Sequence, residues 1–445
     1  MQTIQEFSKK LSQSISVKIA IIGFLILILL IPTFMIQGLI GERETTRNSV
    51  VQEVGDKWGR QQTVTGPILA IPYFEQYMNK DDEIVKSNKT LFVLPEKLDI
   101  NGQLNPEIRH RGIYKVIVYN SEIRFNSKFH LPDLNELGIV PEQVYWDKAS
   151  VLFGVTDLRG IQNELKVILN DQNYEVEPGL KYPTVANAGF TSGVKLNPET
   201  TEYRISLDLD LSGSENIYFS PVGKTTNVNI TSPWSTPSFT GSFLPDDHNI
   251  DSNGFTASWT ILDLNRNFPQ VWNNLSYRVD EAAFGVNLLF PVDEYQKSMR
   301  SAKYAIIFIA LTFLIYLFVE IINKKRIHPV QYLLVSFALL LFYTLLLSLS
   351  EQVGFNLAYL ISAIAIIGMI TVFSHSIFKS GRLSRIIAIS LGVLYAFLFT
   401  ILQLEDYALL FGSIGLFIIL GFVMYLSKRI NWYGQINEEN QLKES

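Results

Sequence analysis

Long unbroken apolar runs and short alternating stretches divide this chain into distinct parts. From Ile19 to Ile36 it reads IAIIGFLILILLIPTFMI without a charge, close to the roughly 20 apolar residues a helix needs to cross about 30 Å of hydrocarbon. After Arg300 five more such runs follow: Tyr304–Ile322, Val330–Leu349, Phe355–Ile377, Ile386–Leu402 and Tyr407–Leu426. Their connections are short, so neighbouring helices are expected to be antiparallel. The pattern predicts six membrane spans, one before a long central region and five after it.

In the central region the period changes to two. In Tyr203–Gly213 the residues Ile205, Leu207, Leu209 and Leu211 fall on one face and Ser206, Asp208, Asp210 and Ser212 on the other, as in a half-buried strand. Similar stretches rich in Val, Ile, Thr, Phe and Tyr are Ile68–Phe74, Thr90–Leu94, Tyr114–Tyr119, Glu122–Phe129, Ser150–Thr156, Glu164–Asn170, Asn216–Phe219, Asn227–Thr231, Thr256–Leu262 and Gly285–Phe290. Asn101-Gly102, Gly213, Asn253-Gly254 and several prolines read as turns between them. About ten strands imply one large or two small antiparallel sandwiches. Helix is expected only near Leu134–Leu137 and at the ends next to the membrane.

Charge then orients the spans, because Lys and Arg concentrate on the cytoplasmic side. Lys324, Lys325 and Arg326 follow the second run, Lys379, Arg382 and Arg385 the fourth, and Lys428 and Arg429 the sixth. The alternate loops carry Glu351, and then Glu405 with Asp406. With Lys9, Lys10 and Lys18 before the first run, both termini are expected inside and the central region outside. Trp432 and Tyr433 suit an interfacial anchor. A cleaved signal peptide is disfavoured: such cores are usually about 7–15 residues, and Pro32, Met35, Gln37 and Ile40 offer no small-x-small site. Ile4, Phe7, Leu11 and Ile15 recur at spacings of three and four, which fits either a short interfacial helix or a frayed tail.

Composition narrows the chemistry. A chain of 445 residues, 48% hydrophobic and with a net charge of -5, holds no basic block for nucleic acid. The absence of cysteine excludes disulfides, thiolate catalysis and Cys-ligated metal. Five histidines, His110, His130, His248, His328 and His375, show no i, i+4 pair for a helical metal site. Asp208 and Asp210 resemble the start of a calcium loop but lack its glycine and closing glutamate. Gly223-Lys224-Thr225 resembles the end of a phosphate loop, yet Tyr218 stands where its first glycine must be. No G-x-S-x-G elbow occurs, so no cofactor, metal or catalytic set is nominated. Within the spans, Glu320 and His375 lie near the cytoplasmic ends and are expected at the interface. Glu351, beside Ser348, Ser350 and Gln352, either closes a polar cluster at the outer end or is a loop residue obeying the charge rule.

Several strings carry more information than composition. They are Gly41-Glu42-Arg43, Glu53-Val54, Trp58-Gly59-Arg60-Gln61-Gln62, Gly66-Pro67-Ile68-Leu69, Trp146-Asp147-Lys148-Ala149 and Thr156-Asp157-Leu158-Arg159-Gly160-Ile161. Further along stand Ser232-Pro233-Trp234, Pro237-Ser238-Phe239-Thr240-Gly241-Ser242-Phe243-Leu244-Pro245, Pro291-Val292-Asp293, His328-Pro329-Val330-Gln331-Tyr332 and Leu349-Ser350-Glu351. With these the chain resembles the CreD family of bacterial inner-membrane proteins from about Leu39 to Leu360. The resemblance implies a role in cell-envelope integrity and the envelope stress response, with no established reaction, cofactor or substrate. The apolar runs and loop charges give the layout 1–18 cytoplasmic segment, 19–40 transmembrane helix, 41–300 periplasmic β-rich domain, 301–427 five-helix block and 428–445 cytoplasmic tail, and the resemblance agrees on where the external domain begins and ends. The shared Trp, Gly, Pro, Asp and Arg read either as turn and core determinants or as a surface for an envelope protein, a lipid or a cell-wall component. On the second reading Trp58, Gln62, Asp157, Arg159, Trp234 and Glu351 are the candidate interaction positions. The leading expectation is a non-enzymatic envelope-integrity protein in contact with the bilayer. A membrane carrier of lipid or small molecules and an enzyme acting on envelope material are the alternatives.

Overall fold

Where no water reaches a backbone N–H or C=O, the chain must satisfy it internally, and the apolar runs do so as helices. The structure, a computed structural model, describes residues 15–78, 82–183, 185–273, 277–290, 294–404 and 407–428. The chain forms two compact units, Met1–Arg47 with Val292–Ser445, and Asn48–Pro291.

Helix α1 covers Ile15–Trp58, 44 residues. It runs well past residue 40, where the first span was expected to end, and its last turns, from Asn48, belong to the second unit. Nothing after Gly41 stops a helix before Gly59, whose φ of +144° few other residues adopt. Helix was expected at this membrane-proximal end, but its extent could not be read because Glu42–Ser49 is polar and carries no period of its own. Of the tail positions, Ile4, Phe7 and Leu11 lie outside the described residues, as do Trp432, Tyr433, Glu405 and Asp406.

The first unit continues with α2 (Glu294–Lys303), α3 (Ala305–Ile322), α4 (Pro329–Val353), α5 (Phe355–Phe378), α6 (Gly381–Gln403) and α7 (Ala408–Ser427). Six helices, α1 and α3 to α7, are long and apolar enough to span a membrane. Their ends are set by local chemistry. His328 caps α4, its Nδ1 accepting from the Val330 amide at 3.3 Å, while Gln331 Oε1 accepts the His328 N–H at 3.0 Å and Pro329 opens the helix. Gly354, at φ +80°, makes the break between α4 and α5 in one residue. Helix α7 has no buried residue, the pattern of a helix surrounded by lipid.

Glu320, in the last turn of α3, is buried among neighbouring helices rather than extended to solvent. It is 2% exposed, bonds Lys18 of α1, and accepts from Tyr332 Oη at 3.0 Å and the Ile327 amide at 3.1 Å. A buried carboxylate is tolerable when paired and fully hydrogen-bonded, and here those partners tie α1, α3 and α4 together. His375, by contrast, is exposed in the last turn of α5.

In the second unit the strands are β1 (Gln62–Met78), β2 (Ile84–Val93), β3 (Lys97–Arg111), β4 (Tyr114–His130), β5 (Ala149–Val155) and β6 (Lys166–Leu169). They continue as β7 (Gln172–Glu175), β8 (Glu177–Pro178), β9 (Gly189–Val194), β10 (Glu202–Ser214), β11 (Asn216–Phe219) and β12 (Thr225–Ser232). The last are β13 (Pro237–Gly241), β14 (Asp247–Asp251), β15 (Gly254–Leu262), β16 (Val271–Asn273) and β17 (Phe284–Leu288). One sheet has nine strands in the order β13-β17-β11-β1-β5-β9-β8, with β2 also on β1 and β16 on β2. The other has eight, β14-β15-β12-β3-β4-β10-β6-β7. Two pairs, β1–β11 and β3–β12, are parallel; the remaining ladders are antiparallel.

An apolar core lies between the sheets. Phe125 of β4 meets Phe153 of β5 edge to face with centroids 5.7 Å apart, and Phe219 of β11 packs 6.5 Å away. The alternation in β10 faces as expected, with Ile205, Leu207, Leu209 and Leu211 buried and Asp208 exposed. Two expected turns are instead inside strands. Gly102 lies within β3 because a Cβ there would meet Ile230 Cδ1 at 2.8 Å, and Gly213 lies within β10. Tyr114–Tyr119 and Glu122–Phe129 merge into one strand, β4, and Leu134–Leu137 is a turn rather than a helix.

Glu320→Ala should lower the stability of the purified full-length protein by about 3 kcal/mol, since it leaves Lys18 and Tyr332 without their acceptor. Adding Lys18→Met should recover part of that loss. A denaturant titration showing additive effects of the two changes contradicts the coupling.

Candidate functional site

At the end of α1 the chain must turn from a helix into the first strand of a sandwich. Gly59 makes the turn, and a Cβ there would stand 2.5 Å from the Ser212 carbonyl oxygen. Three residues later Gln62, fully buried, opens β1. Its Nε2 donates to the carbonyls of Asp157 at 3.0 Å and Ser212 at 3.1 Å, and its Oε1 accepts the Asp157 amide at 3.1 Å. Because β1 belongs to one sheet and Ser212 in β10 to the other, one side-chain amide joins both sheets. The space around it is set by glycine. A Cβ on Gly160 would come within 2.7 Å of Gln62 Nε2, and one on Gly213 within 2.9 Å of Gln62 Cγ.

Asp157 faces outward from the same point. Its carboxylate accepts from the Arg60 amide at 3.1 Å, the Arg159 amide at 3.2 Å, and Arg159 Nε and Nη2 at 2.9 and 2.8 Å. The bidentate pairing fixes the guanidinium, which also donates through Nη1 to the Asp56 carbonyl of α1 at 2.5 Å. Burial pushes the Asp157 carboxyl up, but the Arg159 side chain and the two backbone donors outweigh it and hold the group below its ordinary range. Asp56 in turn pairs with Arg60 and lies 3.5 Å from Arg159.

Trp58 seals one flank. Its Nε1 donates to the Tyr119 carbonyl at 3.3 Å, and the Arg109 guanidinium lies 4.2 Å over its ring. Val51 and Val54 of α1 pack with Trp58 on Val116 and Val118 of β4, and Glu53 accepts from Arg111 at 3.0 Å. Beneath, the buried Tyr119 hydroxyl donates to the Asn216 carbonyl at 2.8 Å, a second tie between the sheets.

Thus Trp58, Gln62, Asp157 and Arg159 meet in one cluster. Trp234 stands apart, its Nε1 donating to the Leu289 carbonyl at 3.1 Å and its ring edge-on to Phe290. Glu351 belongs to the helix unit, where it accepts from Tyr295 Oη at 3.0 Å. Sequence reasoning did not nominate Asp56, Tyr119 or the glycines at 59, 160 and 213 as site residues, although Gly59 and Gly160 sit directly beside nominated ones. The Asp56–Arg60 pair at i, i+4 was a readable signal.

Chemically the cluster is a set of filled valences. Both Gln62 donors are used, and each Asp157 oxygen takes at least one bond. Among the described residues no group of three His, Asp or Glu is placed to hold a metal ion. Asp208 pairs with Arg124 at 2.7 Å and Asp210 accepts from Asn163 at 3.0 Å, while Lys224 bonds Glu96 at 3.0 Å.

A pH dependence follows. A carboxyl lowered in the folded state contributes stability that is complete above its unfolded value, near 3.8, and is lost as pH falls through the folded value. Asp157→Asn should therefore destabilise the β unit at neutral pH and flatten its loss of stability below about pH 4. Parallel acid-unfolding curves for the two proteins would contradict this role.

Residues 14–433 match the profile of a protein family described as Inner membrane protein CreD. A curated relative, Inner membrane protein CreD of Escherichia coli (strain K12), is 32% identical over 419 residues, which are 92% of this chain and 91% of that protein. Among solved structures, an M1 zinc metallopeptidase from Deinococcus radiodurans aligns over 44% of this chain and 42% of its own at 10% identity, with a TM-score of 0.22 too low to carry an argument. With the match over nearly the whole length, and with a β domain inserted in the sequence between the first of six apolar helices and the other five, the chain belongs to the CreD family of inner membrane proteins.

Proposed function

We propose that this protein supports the integrity of the bacterial cell envelope through its β domain, held outside the cytoplasmic membrane, and that it acts by binding rather than by catalysis. One observation carries the reading. The residues of the family-like blocks at Trp58–Gln62 and Thr156–Ile161 use their polar groups on one another, so they build a rigid platform on the end of α1. A partner is then recognised by the faces this platform presents. The loop charges support the external placement, with Lys324, Lys325 and Arg326 at one end of the helix block and Glu351 at the other.

A second reading, carriage of lipid, is favoured by a groove of about 820 Å³ between α1 and α4, lined by Pro32, Met35, Ile36, Leu39, Phe337 and Leu341 among others. Its lining is apolar save for Glu42 and Thr344.

Topology reporters placed after Lys325 and after Glu351 should give cytoplasmic and external signals respectively; the reverse overturns the external placement. Photo-cross-linkers at exposed positions of the β domain, used in intact cells, should capture a defined envelope component. Capture of nothing beyond the chain itself, with lipid exchange catalysed by the protein in vesicles, would replace binding by carriage.

A further inference from the structure

The groove between α1 and α4 has the pattern of an amphiphile along each wall. On α1 its lining includes Pro32, Met35, Leu39 and Glu42, spaced three, four and three residues apart, so they form one stripe of the helix that is apolar until Glu42 closes it. On α4 the stripe is Phe337, Leu341 and Thr344, four and three apart, and it is apolar until Thr344. The two helices run in the same direction, because Lys18 near the start of α1 and Tyr332 near the start of α4 both bond Glu320. Both polar residues therefore mark one end of the groove, the end toward Glu351.

Its dimensions fit a lipid chain. Pro32 and Glu42 are ten residues apart, about 15 Å along a helix, which is half of the roughly 30 Å of hydrocarbon in a bilayer. Ile36 and Leu340 in the lining are buried while Met35 and Leu341 are exposed, so the groove, of about 820 Å³, has a floor and is open along its side. Gly38 leaves room within it, since a Cβ there would meet nothing within 4 Å. At the polar end the Thr344 hydroxyl donates to the Leu341 carbonyl at 3.0 Å, and the Thr46 hydroxyl donates at 2.9 Å to the backbone carbonyl of Glu42 rather than to its carboxylate. Among the described residues Glu42 is the one charged group of the lining, and Arg43 and Arg47, which follow it on α1, have bonds of their own.

Resting on the reading of this groove as a lipid site, we infer that it holds one phospholipid with an amine headgroup, an acyl chain lying on the apolar stripes and the ammonium on the Glu42 carboxylate. The stripes account for the chain and the charge selects the head. A carboxylate at the polar end attracts an ammonium and repels a headgroup whose only charge is its phosphate. Such a site requires no exchange of lipid between leaflets or partners, and it gives Gly41-Glu42-Arg43, one of the strings shared with the family, a role in binding.

The test titrates full-length protein in detergent with phosphatidylethanolamine and with phosphatidylglycerol, bound lipids being counted by native mass spectrometry. Wild type should prefer phosphatidylethanolamine about three-fold, the size of an exposed ion pair, and Glu42→Gln should bind the two lipids equally. Gly38→Leu adds a side chain to the lining without a clash at its Cβ and should retain one lipid fewer than wild type. A preference that persists in Glu42→Gln, or a wild type that does not favour phosphatidylethanolamine, overturns the headgroup assignment and leaves the lipid reading standing. Equal lipid counts in wild type and Gly38→Leu overturn both. Should Gly38→Leu not fold, Leu341→Trp fills the same groove from an exposed position on α4, and an undiminished count in that variant likewise overturns both.

Discussion

The side-chain amide of Gln62 must fill its hydrogen-bonding positions in a place no water reaches, and the geometry of the β unit follows from how it does so. Its donors and acceptor go to the backbone of the Asp157 turn and to Ser212, so β1 of one sheet and β10 of the other meet at a fixed distance. That closeness is possible only because positions 160 and 213 are glycine, where any Cβ would displace the amide. Leaving each of these buried groups unpaired would cost about 1–3 kcal/mol, a large part of a typical domain's stability. From the same turn Asp157 holds the Arg60 amide just past α1 and Arg159 reaches back to Asp56 of α1, so the strand that starts the sandwich and the helix that leads into it are held by one network.

A different constraint governs the helix unit. Packing apolar side chains against each other gains little where the surroundings are as apolar as they are, so specificity falls to polar contacts and close fit. Glu320 of α3 supplies such a contact, accepting from α1, from α4 and from the loop that leads into α4. Tyr316 with Ser374 and Tyr359 with the Tyr395 carbonyl supply others. Helix α7 buries none of its described residues, and at Gly415 a Cβ would run into the ring of Phe397 on α6.

The six helices were legible in the sequence because hydrocarbon admits one local solution for a long apolar run. The sandwich was legible from alternation, most clearly in β10. Glycine was misread at 102 and 213, since a glycine needed for the approach of a neighbour looks the same as one needed for a turn. Helix was expected next to the membrane, but how far α1 runs was not legible. Beyond Gly41 the helix is justified by Val51, Val54 and Trp58 meeting Val116 and Val118, a contact between residues about sixty positions apart. At the candidate site, four nominated residues converge because their strings flank the two turns that touch Gln62. Trp234 and Glu351 do not join them, as shared membership of a family block says nothing about proximity.

The central claim is that the last turns of α1 and both sheets form one cooperative unit through Gln62 and Asp157. Hydrogen exchange on the full-length protein tests this directly, by following peptides that cover Asn48–Trp58 alongside those from β4 and β10. The account predicts that the helical segment is protected as strongly as the strands and that Gln62→Ala loosens both together. Rapid exchange of Asn48–Trp58 while the strands stay protected would contradict it.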